Sequence, residues 1–271
     1  LRIRALTPLD IPAAAHLSAA AGWNQTANDW RNLLRLAPDT CFGLDGDGSL
    51  AATTTAICYQ RRLAWIGMVI TDPAHRRRGF ARRLMEHTLE ALAARGMEWI
   101  QLDATEMGAP LYRQFGFEAE APVERRRGFA SITLPGPAAW DDRCAKLDRE
   151  AFGVDRSRLV AALAPMGGIV RLGESYAMLR PGAEAAYFGP CVCGTFEAAR
   201  DLVAGCLGRH SAQPVFWDLL PENDAAVELA SFAGFQPVRR LVRMIRPGKP
   251  GAAPVGRDTS QIFAIAGFEY G

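Results

Sequence analysis

Apolar positions along this chain follow two spacings, and the switches between them mark the elements. Short runs or strict alternations predict strands, and apolar residues recurring every three or four positions predict helices. Leu1 to Leu6 reads as an opening strand, followed by an alanine-rich helix from Ile11 to Ala21 that ends at Gly22. Asn28 is placed to cap a second helix running through Leu36. Cys41–Leu44 and Leu50–Tyr59 flank the turn Asp45-Gly46-Asp47-Gly48, a hairpin signal. The run Trp65–Ile70 is a buried strand stopped by Thr71-Asp72-Pro73. Phe80, Leu84, Thr88 and Ala91 then carry helical spacing to about Arg95. Gly96, a strand over Trp99–Ala104 and a short helix from Pro110, closed by Gly116, complete the first half.

The second half repeats the order less cleanly. Val123–Thr133 reads as a strand pair with Arg125–Arg127 as its turn or edge, and Leu134-Pro135-Gly136-Pro137 is the natural boundary. Helices are expected over Ala139–Phe152, over Arg158–Leu163 with Asp155 as a possible cap, and over Thr195–Leu207. Strands are expected at Gly168–Leu172, Ser175–Arg180, Ala185–Phe188, Val192–Cys193 and Val215–Leu219. The segment Arg246–Pro254 is linker-like, and Gln261–Ala266 reads as a last apolar strand that must fold back onto a sheet. Alternating strands and helices place the chain in the α/β (α+β) class.

Composition narrows the function classes. Thirty-one basic against 29 acidic residues in 271 leave a net charge of +2, which argues against a general nucleic-acid surface. No apolar run reaches membrane length and the opening residues do not resemble a signal peptide, so a cytoplasmic protein is expected. The six cysteines are scattered. Cys191 and Cys193 share one face of a strand, with no second pair or histidine group to complete a zinc site, so no metal is expected.

The arginines cluster, and one cluster has chemistry. Arg76-Arg77-Arg78-Gly79-Phe80-Ala81 joins the apolar strand to the start of a long helix. The first N–H groups of a helix lack backbone partners and can bind phosphate oxygens. Gly79 lets the backbone come close, and arginines add charge-assisted donors. The hexapeptide, with its Asp-Pro-ended strand and long following helix, resembles the acetyl-CoA pyrophosphate loop of the GNAT acyltransferase superfamily, Gln/Arg-x-x-Gly-x-Gly/Ala. Leu111-Tyr112-Arg113-Gln114-Phe115-Gly116-Phe117 resembles that family's Leu-Tyr-x-x-x-Gly-Phe segment.

The resemblance implies acetyl-CoA as cofactor. Arg76, Arg77, Arg78, Gly79, Phe80, Ala81 and Arg82 would hold its phosphates. The strands Trp65–Ile70 and Trp99–Ala104 would splay so that the pantetheine amides pair with backbone around Met68, Val69 and Ile70. Tyr112 matches the tyrosine that protonates the departing thiolate. Its bland alternative is a ring packed beside Phe115. An amine must attack as the neutral base, so a proton acceptor is required. Asp103 and Glu106, at the end of a strand, are the candidates, with hydrogen-bonded loop carboxylates as the alternative reading. His75 reads as a phosphate-side surface residue.

The two halves also resemble each other. Trp99-Ile100-Gln101-Leu102-Asp103 is echoed by Val215-Phe216-Trp217-Asp218-Leu219, and Leu111–Phe117 by Leu229–Phe235. The second copy has Gly189-Pro190-Cys191-Val192-Cys193-Gly194-Thr195 instead of the basic loop and Ala230 instead of the tyrosine. The expectation is therefore tandem GNAT-like domains, each a mixed central sheet flanked by helices, with the second degenerate. Residues 1–134 would form the catalytic domain and 135–271 the one that shapes the acceptor pocket. Trp23 and Asn24 would face Asp148 and Asp155 there, around a small-molecule amine, in a monomer or homodimer. A non-catalytic acyl-CoA sensor and, less favoured, a protein-lysine acetyltransferase are the competing functions.

Overall fold

The opening alternation forms β1 (Arg2–Ala5), and the helical spacings form α1 (Ile11–Ala20) and α2 (Ala27–Leu36). In this computed structural model residues 2–132 and 140–271 are described, and the boundary expected at Leu134–Pro137 lies outside the described residues. Thr26, rather than Asn28, caps α2. Asp29 returns a bond to the Thr26 N–H at 2.7 Å, completing a capping box. The Asp-Gly turn joins β2 (Cys41–Gly46) to β3 (Ser49–Tyr59), followed by β4 (Leu63–Thr71), α3 (Phe80–Ala94), β5 (Trp99–Ala104) and α4 (Ala109–Gln114).

A single strand, β6 (Glu118–Ile132), replaces the strand pair expected there. Arg125 and Arg126 lie in mid-sheet, each 7% exposed, rather than in a turn. The reason is neutralisation. Asp218 accepts from Arg125 Nε and Nη2 at 2.8 and 2.7 Å, and Glu124 accepts from Arg126 Nε at 2.7 Å. Charged residues read from sequence as a surface turn become interior once each has a carboxylate partner.

The remaining elements are α5 (Asp142–Phe152), α6 (Ser157–Gly167), β7 (Ile169–Leu172), β8 (Ser175–Arg180), β9 (Ala186–Val192), α7 (Phe196–Cys206), β10 (Leu207–Leu219), α8 (Asp224–Phe232), β11 (Gln236–Pro247) and β12 (Ile262–Ala264). The two short strands expected around Gly189-Pro190 merge into β9, across a cis Gly189–Pro190 bond. Asp155 accepts from the Ser157 N–H at 2.9 Å at the start of α6. β11, which the arginine-rich pattern concealed, is a central strand.

The described strands form one sheet in the order β1-β2-β3-β4-β5-β11-β6-β10-β9-β8-β7, with β12 on β9. β11, late in the chain, is inserted antiparallel between β5 and β6, with Arg243 opposite Asp103 and Leu241 opposite Val123. β6 in turn lies between β11 and β10, with Arg125 opposite Asp218. Each half thus completes its sheet with a strand from the other. One core is shared as well, since Trp30, Leu33 and Trp65 pack with Phe152, Leu163 and Tyr176 on the face covered by α1, α2, α5 and α6. The opposite face carries α3 and α4 over Ile66, Leu102 and Met244. In the second half Trp217 stacks edge-on against Phe188 and Phe235 under α7 and α8.

Candidate active site

β4 and β5 run parallel and pair only at Leu63–Trp99, Ala64–Ile100 and Trp65–Gln101, although β4 continues to Thr71 and β5 to Ala104. Past Trp65 the edge of β4 that faces β5 has no strand partner among the described residues. On its other edge the register with β3 slips between Ile70 and Gly67, and Met68 adopts φ 50°. Thr53 Oγ1 secures that irregularity by donating to Met68 O at 2.8 Å. Met68 and Ile70 are buried in the α1/α2 core while Val69 turns to the α3/α4 side. What the gap between β4 and β5 offers is therefore backbone, with N–H and C=O groups at strand spacing.

At the end of β4 the chain turns through Pro73–His75 into the basic loop. Arg76 to Gly79 are exposed, and Phe80 anchors α3 at 2% exposure. Gly79 sits at φ 78°, and a Cβ there would meet no atom within 4 Å, so the space above it is open. No side chain caps α3, whose first N–H groups point into that space. Arg78 is steered by Asp47 at 3.4 Å and lies 5.2 Å from the Phe80 ring. Hydrogen bonds from His75 and then Arg78 hold the Asp47 carboxyl below its usual range. Arg76 and Arg77 make no ion pair among the described residues. Arg82 bonds Gln114 and lies over Phe115. Ala81 is half-buried beside it. Free N–H groups, an open glycine and uncommitted guanidinium groups fit a pyrophosphate, and the unpaired β4 edge fits an extended amide-bearing arm.

The second half lacks both features. Thr195 caps α7 with its own hydroxyl, accepting from Ala198 N at 3.2 Å, and Glu197 rather than arginine occupies the first turn. β9 and β10 also pair only at Ala186–Val215 to Phe188–Trp217, but β12 fills the space beyond. Ile262 and Ala264 pair with Val192 and Cys191 of β9. From the other side, Ile265 N donates to Asp218 O at 2.9 Å and Trp217 Nε1 to Phe263 O at 2.7 Å.

Tyr112 projects from α4 into the buried cluster that includes Ile66 and Leu102, edge-on to Phe117 at 6.1 Å, and burial raises its phenol pKa. For Asp103 the structure shows the alternative reading, a hydrogen-bonded carboxylate. Both its oxygens are held by Arg243, at 2.9 and 3.1 Å, and that guanidinium lies 4.6 Å from the Trp65 ring. Burial still raises the Asp103 pKa, against the pull of Arg243. Glu106 is exposed at the rim of an open depression of about 480 Å³ that it shares with Thr105, Met107, Arg239 and Arg240.

The expected acceptor residues do not converge either. Asp148 is sealed in α5 against Arg156 and Tyr176, and Asp155 is exposed at the start of α6. Trp23 packs half-buried on the shared core. Asn24 spends its amide on the other half. Its Oδ1 accepts from Glu184 and Ala185 N–H, and its Nδ2 donates to Ala185 O at 2.9 Å. Asn24 thus ties the two halves together.

A different carboxylate lies there. Residues 265–271 run from β12 across the α1/α2 face of β4, where Trp65 Nε1 donates to Phe268 O and the Tyr59 hydroxyl to Tyr270 O. A Cβ on Gly67 would lie 2.7 Å from the Glu269 Cα, so Glu269 rests on β4 beside the Met68 irregularity. Its carboxylate accepts from Gln25 Nε2 at 2.8 Å and stands 3.9 Å from Arg180. With Asn24, Asp29, Arg125, Arg180 and Tyr187 it encloses a cavity of about 10 Å³, roughly one water. Burial, outweighing the pull of Arg180, pushes the Glu269 carboxyl up to about 7. The only sequence signal was a lone acidic residue within the apolar stretch Ile262–Tyr270.

Comparison with known proteins agrees with this geometry. Two family models, each described as an acetyltransferase (GNAT) domain, match residues 2–119 and 144–264. The chain is 29% identical over 133 residues to the ribosomal protein bS18-alanine N-acetyltransferase of Escherichia coli K12, covering 45% of this chain and 84% of that protein. A proposed acetyltransferase from Pyrococcus horikoshii shares its fold at TM-score 0.82 and 20% identity, over 100% of this chain and 95% of the other. A GCN5-related N-acetyltransferase from Sphaerobacter thermophilus follows at 0.66 and 17%, over 95% and 98%. Among the described residues no helix is long and apolar enough to cross a membrane. With both halves matched by one family description, the chain belongs to the GNAT superfamily as a tandem-domain, acetyl-CoA-dependent N-acetyltransferase.

Proposed function

We propose that the chain transfers an acetyl group from acetyl-CoA to a small-molecule amine. The reaction would be carried by residues 1–134, with residues 135–271 a degenerate copy that closes the acceptor side. The observation that supports this most is the partnerless β4 edge leading to the open, arginine-rich start of α3. Arg76, Arg77, Arg78, Arg82 and the N–H groups of Gly79, Phe80 and Ala81 would hold the phosphates, and Met68–Ile70 the pantetheine amides. Bound there, the cofactor supplies an activated acyl thioester. The N–H of Val69 or Ile70 polarises the carbonyl. Glu269 takes the proton of the attacking amine, directly or through the one water its cavity admits, and the Tyr112 hydroxyl gives one up on the sulfur side.

Degeneracy of the second copy is supported by β12, which occupies the gap where a second pantetheine would lie. A small acceptor is supported by residues 265–271, which lie over the β4 face that an extended peptide would need. The E. coli relative acts, by its name, on an alanine of a ribosomal protein.

Calorimetric titration tests the cofactor seat. We expect micromolar acetyl-CoA binding, weakened at least ~10-fold by combined Arg78→Ala and Gly79→Val replacement, since charge-assisted phosphate contacts and an open backbone are lost together. Unchanged affinity would remove the loop from the mechanism. Tyr112→Phe is expected to lower kcat by on the order of a hundredfold while leaving that affinity intact. A loss of binding instead would make the ring a packing element only.

A further inference from the structure

The depression beside the β5–α4 turn is lined by a cation, Arg239, that is not closed by an ion pair among the described residues. Arg125, Arg126, Arg156 and Arg243 each have a carboxylate within hydrogen-bonding distance. Arg239 is half-buried on β11 and has no carboxylate at ion-pair distance among the described residues. Its register partner on β6 is Arg125, so a second guanidinium stands beside it. Burial first, and Arg125 next, lower its pKa, against a smaller opposing pull from Asp218. Arg240 on the same rim is mostly exposed, with only its Nε near Glu124, at 3.4 Å. Met107 and Val238, 83% and 54% exposed, add apolar surface at the edge. A partly desolvated, unpaired guanidinium costs stability unless an anion completes it.

Position links this cation to the transfer chemistry. Arg125 separates Arg239 from the Glu269 cavity, which it also lines, and its guanidinium lies 4.5 Å from the Phe268 ring. Neighbouring strands are about 5 Å apart, so Arg239 is one strand away from Arg125, which borders the cavity of the group proposed to take the amine proton. Thr105 and Glu106, which line the same depression, precede the helix of Tyr112. Resting on the transferase reading above, we infer that Arg239, with Arg240 at its rim, forms a subsite for an acidic group on the acceptor. The substrate is then an amine that carries a carboxylate or phosphate, as an amino acid or a phosphorylated amino alcohol does, and not a simple cation.

Matched acceptors test this: amino acids against their amides, and amino alcohols against their phosphate monoesters. Wild-type kcat/KM should favour the acidic member of one series by at least ~10-fold, and the series identifies the group. Arg239→Gln should erase the preference through KM, with kcat and the acetyl-CoA Kd unchanged, and Arg239→Lys should restore part of it. Phenylglyoxal labelling of Arg239, followed by mass spectrometry, reads the same site without turnover. Acidic acceptors should slow labelling and their amides should not. Equal labelling rates, or a preference that survives Arg239→Gln, would overturn the subsite. Absence of transfer to any amine, with acetyl-CoA bound and labelling still protected, would count against the transferase reading and leave the subsite standing.

Discussion

Glu269→Gln is expected to lower kcat by about 10²–10⁴-fold, the range ascribed to a positioned general base, and to remove the acidic limb of its pH profile. Glutamine keeps the size and the contact with Gln25, so packing is retained while basicity is lost. The limb should be centred near 7, because burial holds the carboxyl at about 7. Arg180 at 3.9 Å opposes that rise and Asp29 reinforces it, with Arg125 and Tyr187 completing the cavity wall. Linkage gives a second readout of opposite sign. A carboxyl whose folded pKa is raised binds its proton more tightly in the native state. Between about 4.5 and 7 the unfolded chain therefore holds fewer protons, and stability falls as pH rises. Activity in wild type should climb through the window in which stability declines, and Glu269→Gln should flatten both. An acidic limb that persists in the variant would assign the proton to another group.

Asp148→Ala should cost about 3–5 kcal/mol of stability, the cost of leaving a buried charge without its partner. Arg156 donates to both Asp148 oxygens at 3.1 and 3.0 Å, and Tyr176 donates as well. The guanidinium, 1% exposed, also donates to Gly271 O at 3.0 Å and lies 4.2 Å from the Phe152 ring. Removing the carboxylate strands that charge in the core shared by the two halves. In a chain of this size the loss corresponds to a fall in Tm of roughly 10 °C. Replacing both partners, as Asp148→Leu with Arg156→Met, should recover much of it, because paired removal leaves no uncompensated charge. Urea unfolding checks this, and a cost below about 1 kcal/mol for the single variant would refute it. The effect should extend to catalysis. Arg156 steadies Gly271, two residues from Glu269, so the single variant should also lose activity below its unfolding transition.

Much of the segment from β4 through the basic loop to α3 was legible because its signals are local. Trp65–Ile70, the Asp-Pro stop, Gly79 at a left-handed φ and the spacing Phe80, Leu84, Thr88 each depend on residues within a turn or two of one another. The surroundings of the candidate carboxylates were not legible, because they are set by pairing across the chain. Asp103 read either as a base or as a hydrogen-bonded carboxylate, and the partner that decides it, Arg243, lies 140 positions later. Asp148 and Asp155 read as a pair for an amine, yet one is neutralised in the core and the other sits exposed at a helix start. Arg125–Arg127 read as a turn because three charges in a row suggest solvent, and Asp218 on a neighbouring strand makes Arg125 an interior residue.

Amino-acid pattern alone determined the class of fold, the repeat of one unit in two halves and the basic loop at the start of α3, since periodicity and turn chemistry act over a few residues. Only the tertiary structure decided that β11 enters the first half's sheet and that β12 fills the gap beside β9. It also decided that Glu269 comes to rest on β4. Strand exchange is chosen by which distant edges bury the most apolar surface while satisfying their backbone groups, a competition that no local spacing records.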